Sequence, residues 1–436
     1  MIFKTNGRHV LFLQGPGSLF FNRLSRSLKS DGVDVSKIHL CPGDRLFWRS
    51  GKSTTYKEGI EKWGDYLTRY IASHNVTDIA LFSDIRPYHR IAAQIAKSLD
   101  VNLFAFENGY FRPHWITMQL GGVNGRSPFP SNPKEIELLA SQVCVKDKQP
   151  EFTRKVTSSR YLGDILFHAI NHSFSFLYPK YDGYRSAHPF SEANGWIKKG
   201  LKYSQKKKRS EKVLADILSE GQTFFTYPLQ LDHDFQLLED SGFRSISEAC
   251  EEIIASFVKH ASENALLLVK NHPQDNNMVD RQADIERLAV KYGVADRIKY
   301  IETGHNPSIM QRTAGVVTIN STIGTSALHH GVPLCVLGKA VYDIDGLTHK
   351  GGLDSFWADP TLPDMEFYDA FKSALIAHSQ VSGSFTDPDP SAFALEKCVE
   401  KIVSTPFRSI TQTGVSSLSD RTGKASTGRK KLARPA

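Results

Sequence analysis

Short apolar runs alternate with helix-period stretches along most of this chain, and that order suits parallel α/β sheets and little else. In the first half, residues 9–14 (HVLFLQ), 78–83 (DIALFS) and 101–107 (VNLFAFE) read as buried strands, with helices at 18–29, 56–72 and 88–99. In the second half, residues 223–227, 265–270, 297–301, 316–320 and 333–337 read as strands, with helices at 247–260, 279–291 and 322–330. A further helical pattern at 154–171 runs into the aromatic segment 174–178. No period of 20–50 residues repeats, which excludes a solenoid or propeller. At 436 residues the chain exceeds one ordinary core. The expected fold is therefore α/β, with two Rossmann-like domains and a cleft between them. Residues 1–200 form the first domain, 201–405 the second, and 406–436 a disordered basic tail too poor in apolar residues to offset chain entropy.

Charge sharpens that division. Of a net charge of +8, residues 198–212 contribute +7 from eight basic residues and one Glu, and residues 408–436 contribute +6, leaving −5 for the remainder. Three readings of the basic segments stand: a solvated linker, a membrane-surface contact or a nucleic-acid contact. No apolar run reaches the ~18 residues that span a bilayer, and no secretory signal is read at the N-terminus. The five cysteines are scattered without a C-x-x-C pair, which argues for a reducing compartment and against a zinc or disulfide framework.

Five polar segments fall at strand ends, where open α/β sheets bind their ligands. Gln14-Gly15-Pro16-Gly17-Ser18 follows the first strand. It approaches a dinucleotide fingerprint, with Asp34 near the position of the ribose acid, but Phe20 replaces the third glycine. A steric turn and a ligand loop are both open there. Phe106-Glu107-Asn108-Gly109-Tyr110-Phe111-Arg112 sets a carboxylate at a strand end before an arginine, a base or nucleophile beside an anion, or simply a tight Asn-Gly turn. Residues 227–236 (YPLQLDHDFQ) offer Gln230, Asp232, His233 and Asp234 to sugar hydroxyls, to a metal or simply to solvent, although the spacing matches no H-E-x-x-H or Cys/His site. Lys270-Asn271-His272-Pro273 directly follows a strand and either suits a phosphate, since a protonated His stabilises a departing oxygen, or is a structural His-Pro turn. Asn320-Ser321-Thr322-Ile323-Gly324 offers small hydroxyls and backbone N–H groups at a helix start, serving either as a cap or as a phosphate pocket.

Taken in order over about residues 9–350, these segments resemble the capsular polysaccharide biosynthesis and export family of Gram-negative bacteria, of the KpsS/LipB type with KpsC/LipA-type relatives. The resemblance is carried by the QGP turn, FENGYFRPHWIT, PLQLDHDFQ, KNHP and NSTIGTSALHHGVPLCVLGKAVYDIDGLT. It implies a GT-B-like glycosyltransferase that moves Kdo from CMP-Kdo to a phosphatidylglycerol or lyso-phosphatidylglycerol anchor, starting the β-Kdo linker of a capsule.

Residue by residue, the resemblance implies Glu107 as the active-site carboxylate. It implies Lys270, His272 and Pro273 at the CMP phosphate, with Asn320, Ser321, Thr322 and Gly324 completing that pocket. Arg112 or Gln14 would orient the sugar acid, with Gly15, Gln230 and Asp234 also on the donor side. Relatives that extend the linker carry an acidic pair before the glycine, whereas Asn108 stands second here. A retained β-linkage favours double displacement. No cofactor and no metal is expected, CMP-Kdo being the donor substrate. The expected partners are the CMP-activated sugar, an anionic phospholipid acceptor and other capsule biosynthesis or export proteins, with no nucleic acid. The expected location is the cytoplasm, peripheral on the inner membrane's cytoplasmic face. The alternatives are a non-catalytic assembly or export factor and a transferase for another CMP-sugar.

Overall fold

The computed structural model describes residues 7–144, 159–183, 189–232, 234–275, 278–386 and 388–408. Its strands are β1 (His9–Phe12), β2 (Asp34–His39), β3 (Ser53–Thr55), β4 (Asp78–Phe82), β5 (Asn102–Asn108), β6 (Trp115–Leu120), β7 (Phe224–Pro228), β8 (Leu266–Lys270), β9 (Ile298–Ile301), β10 (Gly315–Thr318), β11 (Leu334–Val336) and β12 (Gln380–Ser382). They form a seven-stranded sheet of order β12-β6-β5-β4-β1-β2-β3 and a five-stranded sheet of order β11-β10-β7-β8-β9. The second sheet is parallel throughout its recorded pairs. In the first sheet β1 to β5 run parallel, and β12 pairs antiparallel with β6. The expected α/β class with two Rossmann-like sheets is what the chain forms.

Each sheet has one point where the strand order reverses. From β1 the chain moves outward through β2 and β3, then returns to place β4 on the other side of β1. From β7 it moves outward through β8 and β9, then returns to place β10 on the other side of β7. Such reversals leave a crevice at the carboxyl ends of the two diverging strands.

The strands form because both their faces are covered. In β8, Leu266 and Leu268 enter one core with Phe224, Val316, Leu334 and Phe371. Leu267 and Val269 enter the opposite core with Phe225, Val317, Ile253 and Phe257. Helices on both faces explain why these strands read as continuous apolar runs rather than alternating ones. At the amino-terminal edge of the first sheet, Arg8 is fully buried in an ion pair of 2.9 Å with Asp78. The same guanidinium donates to the carbonyls of Val403 (3.1 Å) and Thr405 (2.8 Å), fastening the C-terminal helix there.

The structure departs from the sequence expectations in its boundaries. One compact unit comprises Met1–Phe106, Ser158–Asp182 and Phe385–Ala436; the other comprises Glu107–Thr157 and Gly183–Ser384. The expected boundary at 200 falls inside the helix Pro189–Glu220, so residues 198–212 are helical rather than a linker. The chain leaves one unit and re-enters it, an arrangement that composition does not reveal. Residues 406–408, assigned by sequence to the tail, are held in place: Pro406 accepts from Asn102 (2.9 Å), and the guanidinium of Arg8 stacks on Phe407. The rest of that tail, 409–436, lies outside the described residues, as does His233.

Candidate functional site

In the second sheet, the reversal between β7 and β10 is closed by paired amides. Gln230 donates from Nε2 to Asn320 Oδ1 (2.8 Å) and accepts the Asn320 backbone N–H on Oε1 (3.1 Å). Asn320 Nδ2 in turn donates to the Gln236 carbonyl at 2.8 Å. Both amides are buried, so each bond also satisfies a group that would otherwise be costly to bury. They hold the loops after β7 and β10 in register.

The next strand, β8, ends on Lys270, which is only 6% exposed. Among the described residues its ammonium has no hydrogen-bond or ion-pair partner. Burial pushes its pKa below the ordinary lysine value. A buried cation in this state lacks a counter-charge. Beyond it, His272 accepts the Gln274 backbone N–H on Nδ1 at 3.1 Å. In the neutral ring this places the proton on Nε2. Asn271 shapes the turn, accepting from the His272 N–H (2.8 Å) and donating to Asp275 (2.9 Å). Pro273 is exposed, and its carbonyl accepts from Lys199 at 2.8 Å.

After β10 the chain turns through Ser321 and Thr322 into the short helix Ile323–His329. Ser321 Oγ accepts weakly from the Ile323 N–H at 3.4 Å, and the hydroxyl of Thr322 has no partner among the described residues. Gly324 has a packing role: a Cβ there would come within 2.5 Å of the Tyr342 ring. This gives a steric reason for the glycine, where the resemblance implied a ligand contact.

Glu107 stands near the end of β5, where Oε1 accepts from the Asn108 backbone N–H at 2.9 Å. The turn that follows is tied to the hydroxyl segment, because Thr325 Oγ1 donates to the Tyr110 carbonyl at 2.8 Å. Tyr110 is further held by Gln380, which accepts its backbone N–H (3.0 Å), and by the Asn124 N–H, which donates to its hydroxyl (2.8 Å). Arg112 is exposed in the same turn. Glu107, Gln230, Lys270, His272, Asn320, Ser321 and Thr322 thus all lie at strand ends within one unit. Asp234 caps the helix Phe235–Asp240 by accepting from the Gln236 N–H at 3.0 Å, a structural duty for a residue placed by sequence on the donor side.

Gln14 and Gly15 belong to the other unit, at the reversal between β1 and β4. Gln14 accepts from Arg86 (2.8 Å) and donates to Cys41 Sγ (3.2 Å) and the Tyr181 hydroxyl (3.3 Å). Its amide is therefore used at both ends within its own unit. Gly15 is required by Phe21, whose ring lies 2.8 Å from where a Cβ would stand. Asp34 opens β2 and so lies at the amino end of the sheet, away from the loop it would serve in a dinucleotide fold.

Sequence reasoning missed Lys37, a buried residue of β2 whose ammonium donates to the Leu13 carbonyl at 2.6 Å and lies 3.7 Å from Asp44. A lysine inside DVSKIH interrupts the apolar pattern, and that interruption hid both strand and residue. Burial, followed by Lys37, lowers the His39 pKa to about 4. Burial, followed by Arg86, lowers that of His89 to about 3. A cavity of about 590 Å³ in this unit is lined by His9, Asp34, Lys52, Arg69, Tyr70 and His74. It sits at the amino ends of β1 and β2, away from the carboxyl edge where α/β ligands bind.

Comparison with known proteins bears on this geometry. The family model described as "Capsule polysaccharide biosynthesis protein" matches residues 77–386. The chain is 30% identical over 383 residues to the capsule polysaccharide export protein KpsS of Escherichia coli, covering 87% of this chain and 97% of that one. It is 31% identical over 392 residues to the capsule polysaccharide modification protein LipB of Neisseria meningitidis, covering 87% of this chain and 92% of that one. Among solved structures, Thermosulfurimonas dismutans KpsC, titled a beta Kdo 2,7 transferase, aligns over 90% of this chain and 98% of its own at 11% identity, with a TM-score of 0.41.

Proposed function

The chain belongs to the capsule polysaccharide biosynthesis protein family, and from that premise we propose that it is a glycosyltransferase that moves Kdo from CMP-Kdo to a phosphatidylglycerol or lyso-phosphatidylglycerol anchor. The observation that carries this reading is Lys270, a buried ammonium without a described counter-charge at the carboxyl end of β8. A donor phosphate supplies that charge. The CMP phosphate binds between Lys270 and the hydroxyls of Ser321 and Thr322, with His272 Nε2 donating toward the bridging oxygen. When the sugar–oxygen bond breaks, its electron pair leaves with CMP, and the lysine and histidine stabilise the charge that develops there.

Glu107 is the carboxylate presented to the sugar, and Arg112 meets the sugar acid. With retention Glu107 acts as nucleophile; with inversion it takes the acceptor's proton. The anomeric configuration of the product distinguishes these roles. The acceptor places the reaction at the cytoplasmic face of a membrane, with the protein peripheral to it. No helix among the described residues is long and apolar enough to cross a bilayer.

The test is transfer from CMP-Kdo, generated in situ, to a fluorescent lyso-phosphatidylglycerol, read by mass. One added Kdo is expected. Glu107→Gln keeps the Oε1 acceptor that receives the Asn108 N–H, so the turn persists, CMP affinity holds and turnover drops about 10²–10⁴-fold. Unchanged turnover would remove Glu107 from the mechanism, and absence of product from intact donor would remove Kdo.

A further inference from the structure

The long helix Pro189–Glu220 divides its cations between two faces. On the face toward its own unit, Lys199 donates to the carbonyls of Pro273 (2.8 Å) and Asp275 (2.6 Å), and Lys206 pairs with Glu302 at 3.1 Å. Ser210 is buried there, accepting the Glu302 N–H at 3.0 Å, and Ile217 enters the core. On the opposite face, positions 197, 201, 208 and 212 recur at intervals of four and seven, which align on one side of a helix. They are Ile197, Leu201, Lys208 and Lys212, with exposed Lys198 and Lys202 on the flank between this face and the inner one. Ile197 is 63% exposed and Leu201 81% exposed. These four lysines have no ion-pair or hydrogen-bond partner among the described residues.

We propose that this outward face docks the protein on an anionic phospholipid bilayer. Two exposed aliphatics among unpaired lysines match an interfacial helix: the apolar side chains enter the headgroup boundary while the ammonium groups reach the lipid phosphates. Binding to nucleic acid would use the lysines but leaves Ile197 and Leu201 without a role. The inference rests on the lipid acceptor of the preceding section and gives it a location. The carbonyls held by Lys199 belong to the loop carrying His272, so that loop lies on the inner side of the docked helix. Seating the helix holds the donor loop about one helix diameter, ~10 Å, from the headgroups.

Co-sedimentation of the full chain with vesicles tests the proposal, using phosphatidylcholine alone and an equal mixture with phosphatidylglycerol. Sedimentation with the mixture only is expected. Charge reversal by Lys198→Glu, Lys202→Glu, Lys208→Glu and Lys212→Glu should weaken partitioning by about fivefold or more per position. Ile197→Asp with Leu201→Asp should abolish the remaining binding. All six positions are exposed, and unfolding temperatures equal to the wild type check that the variants fold. Equal partitioning of wild type and both variants overturns the proposal, as does equal binding to pure phosphatidylcholine or displacement from vesicles by single-stranded RNA. Transfer to a water-soluble, short-chain phosphatidylglycerol separates this inference from the reading it rests on. Product without partitioning overturns docking and leaves the transferase intact; partitioning without product supports docking and overturns the transferase.

Discussion

The two strand-order reversals use the same device to opposite ends. After β1, Gln14 meets Arg86; after β7, Gln230 meets Asn320. In both, a buried glutamine ties the loop after the sheet's first strand to the loop across the crevice. The difference lies in the neighbouring lysine. Lys37 of β2 donates to a carbonyl and lies near Asp44, whereas Lys270 of β8 has neither kind of partner among the described residues. The first crevice is internally matched and the second retains an unbalanced positive charge. A shared strand-order reversal therefore does not fix the charge of the crevice it leaves: that depends on which polar partners the neighbouring strands supply.

The largest expected effect separates the two crevices by pH. An unfolded chain protonates His39 and His89 near 6.5, while the folded chain keeps them neutral until about 4 and about 3. The unfolded state binds more protons throughout that interval, so stability falls as pH drops from 6.5 toward 4, by a few kcal/mol on the order of 1.4 per pKa unit. Thermal unfolding across this range should show the loss, and His39→Leu should roughly halve its slope, the share of His89 remaining. A slope unchanged by that substitution would locate the acid sensitivity elsewhere.

Lys270→Met tests the charge imbalance itself. CMP affinity measured calorimetrically should fall about 10–100-fold, the value of a hydrogen bond to a charged group. The unfolding temperature without ligand should hold or rise, because a buried uncompensated charge has been removed. The loss of affinity should also appear in the wild type as pH rises through the lowered Lys270 pKa and the ammonium discharges.

Arg86→Met should behave in the reverse manner. It leaves Gln14 Oε1 without its charged donor and costs roughly 1–3 kcal/mol of stability, with CMP affinity unchanged. A large affinity loss would show that the first crevice also serves the nucleotide. The smallest effect is expected of Asp234→Ala, which should lose about 1 kcal/mol as a missing helix cap. Calorimetry should find donor affinity unaltered; a clear decrease would restore Asp234 to the donor side.

Much of the fold was legible because parallel strands buried on both faces carry uninterrupted apolar runs. ALLLVK, VVTIN and DIALFS could be read directly for that reason. The strands that escaped, β2, β3, β6 and β12, are short, polar or at the edge, and β2 contains the buried Lys37. The candidate site was legible through its chemistry: KNHP and NST stood at strand ends, and the structure sets them on β8 and after β10. What could not be read was the use made of each side chain. Gln14 and Asp234 look like ligands in a motif, yet their polar atoms are engaged within the fold.

The sequence by itself determined the class of fold, the order of its elements and the strand ends where chemistry can occur, because hydrophobic periodicity and turn residues act over short separations. Tertiary structure alone decided which polar groups were already satisfied. It made residues 198–212 a two-faced helix, matched Lys37 and left Lys270 without a described counter-charge. The physical reason is that hydrogen bonding and charge pairing depend on neighbours supplied by distant parts of the chain, such as Asn320 for Gln230 and Arg86 for Gln14.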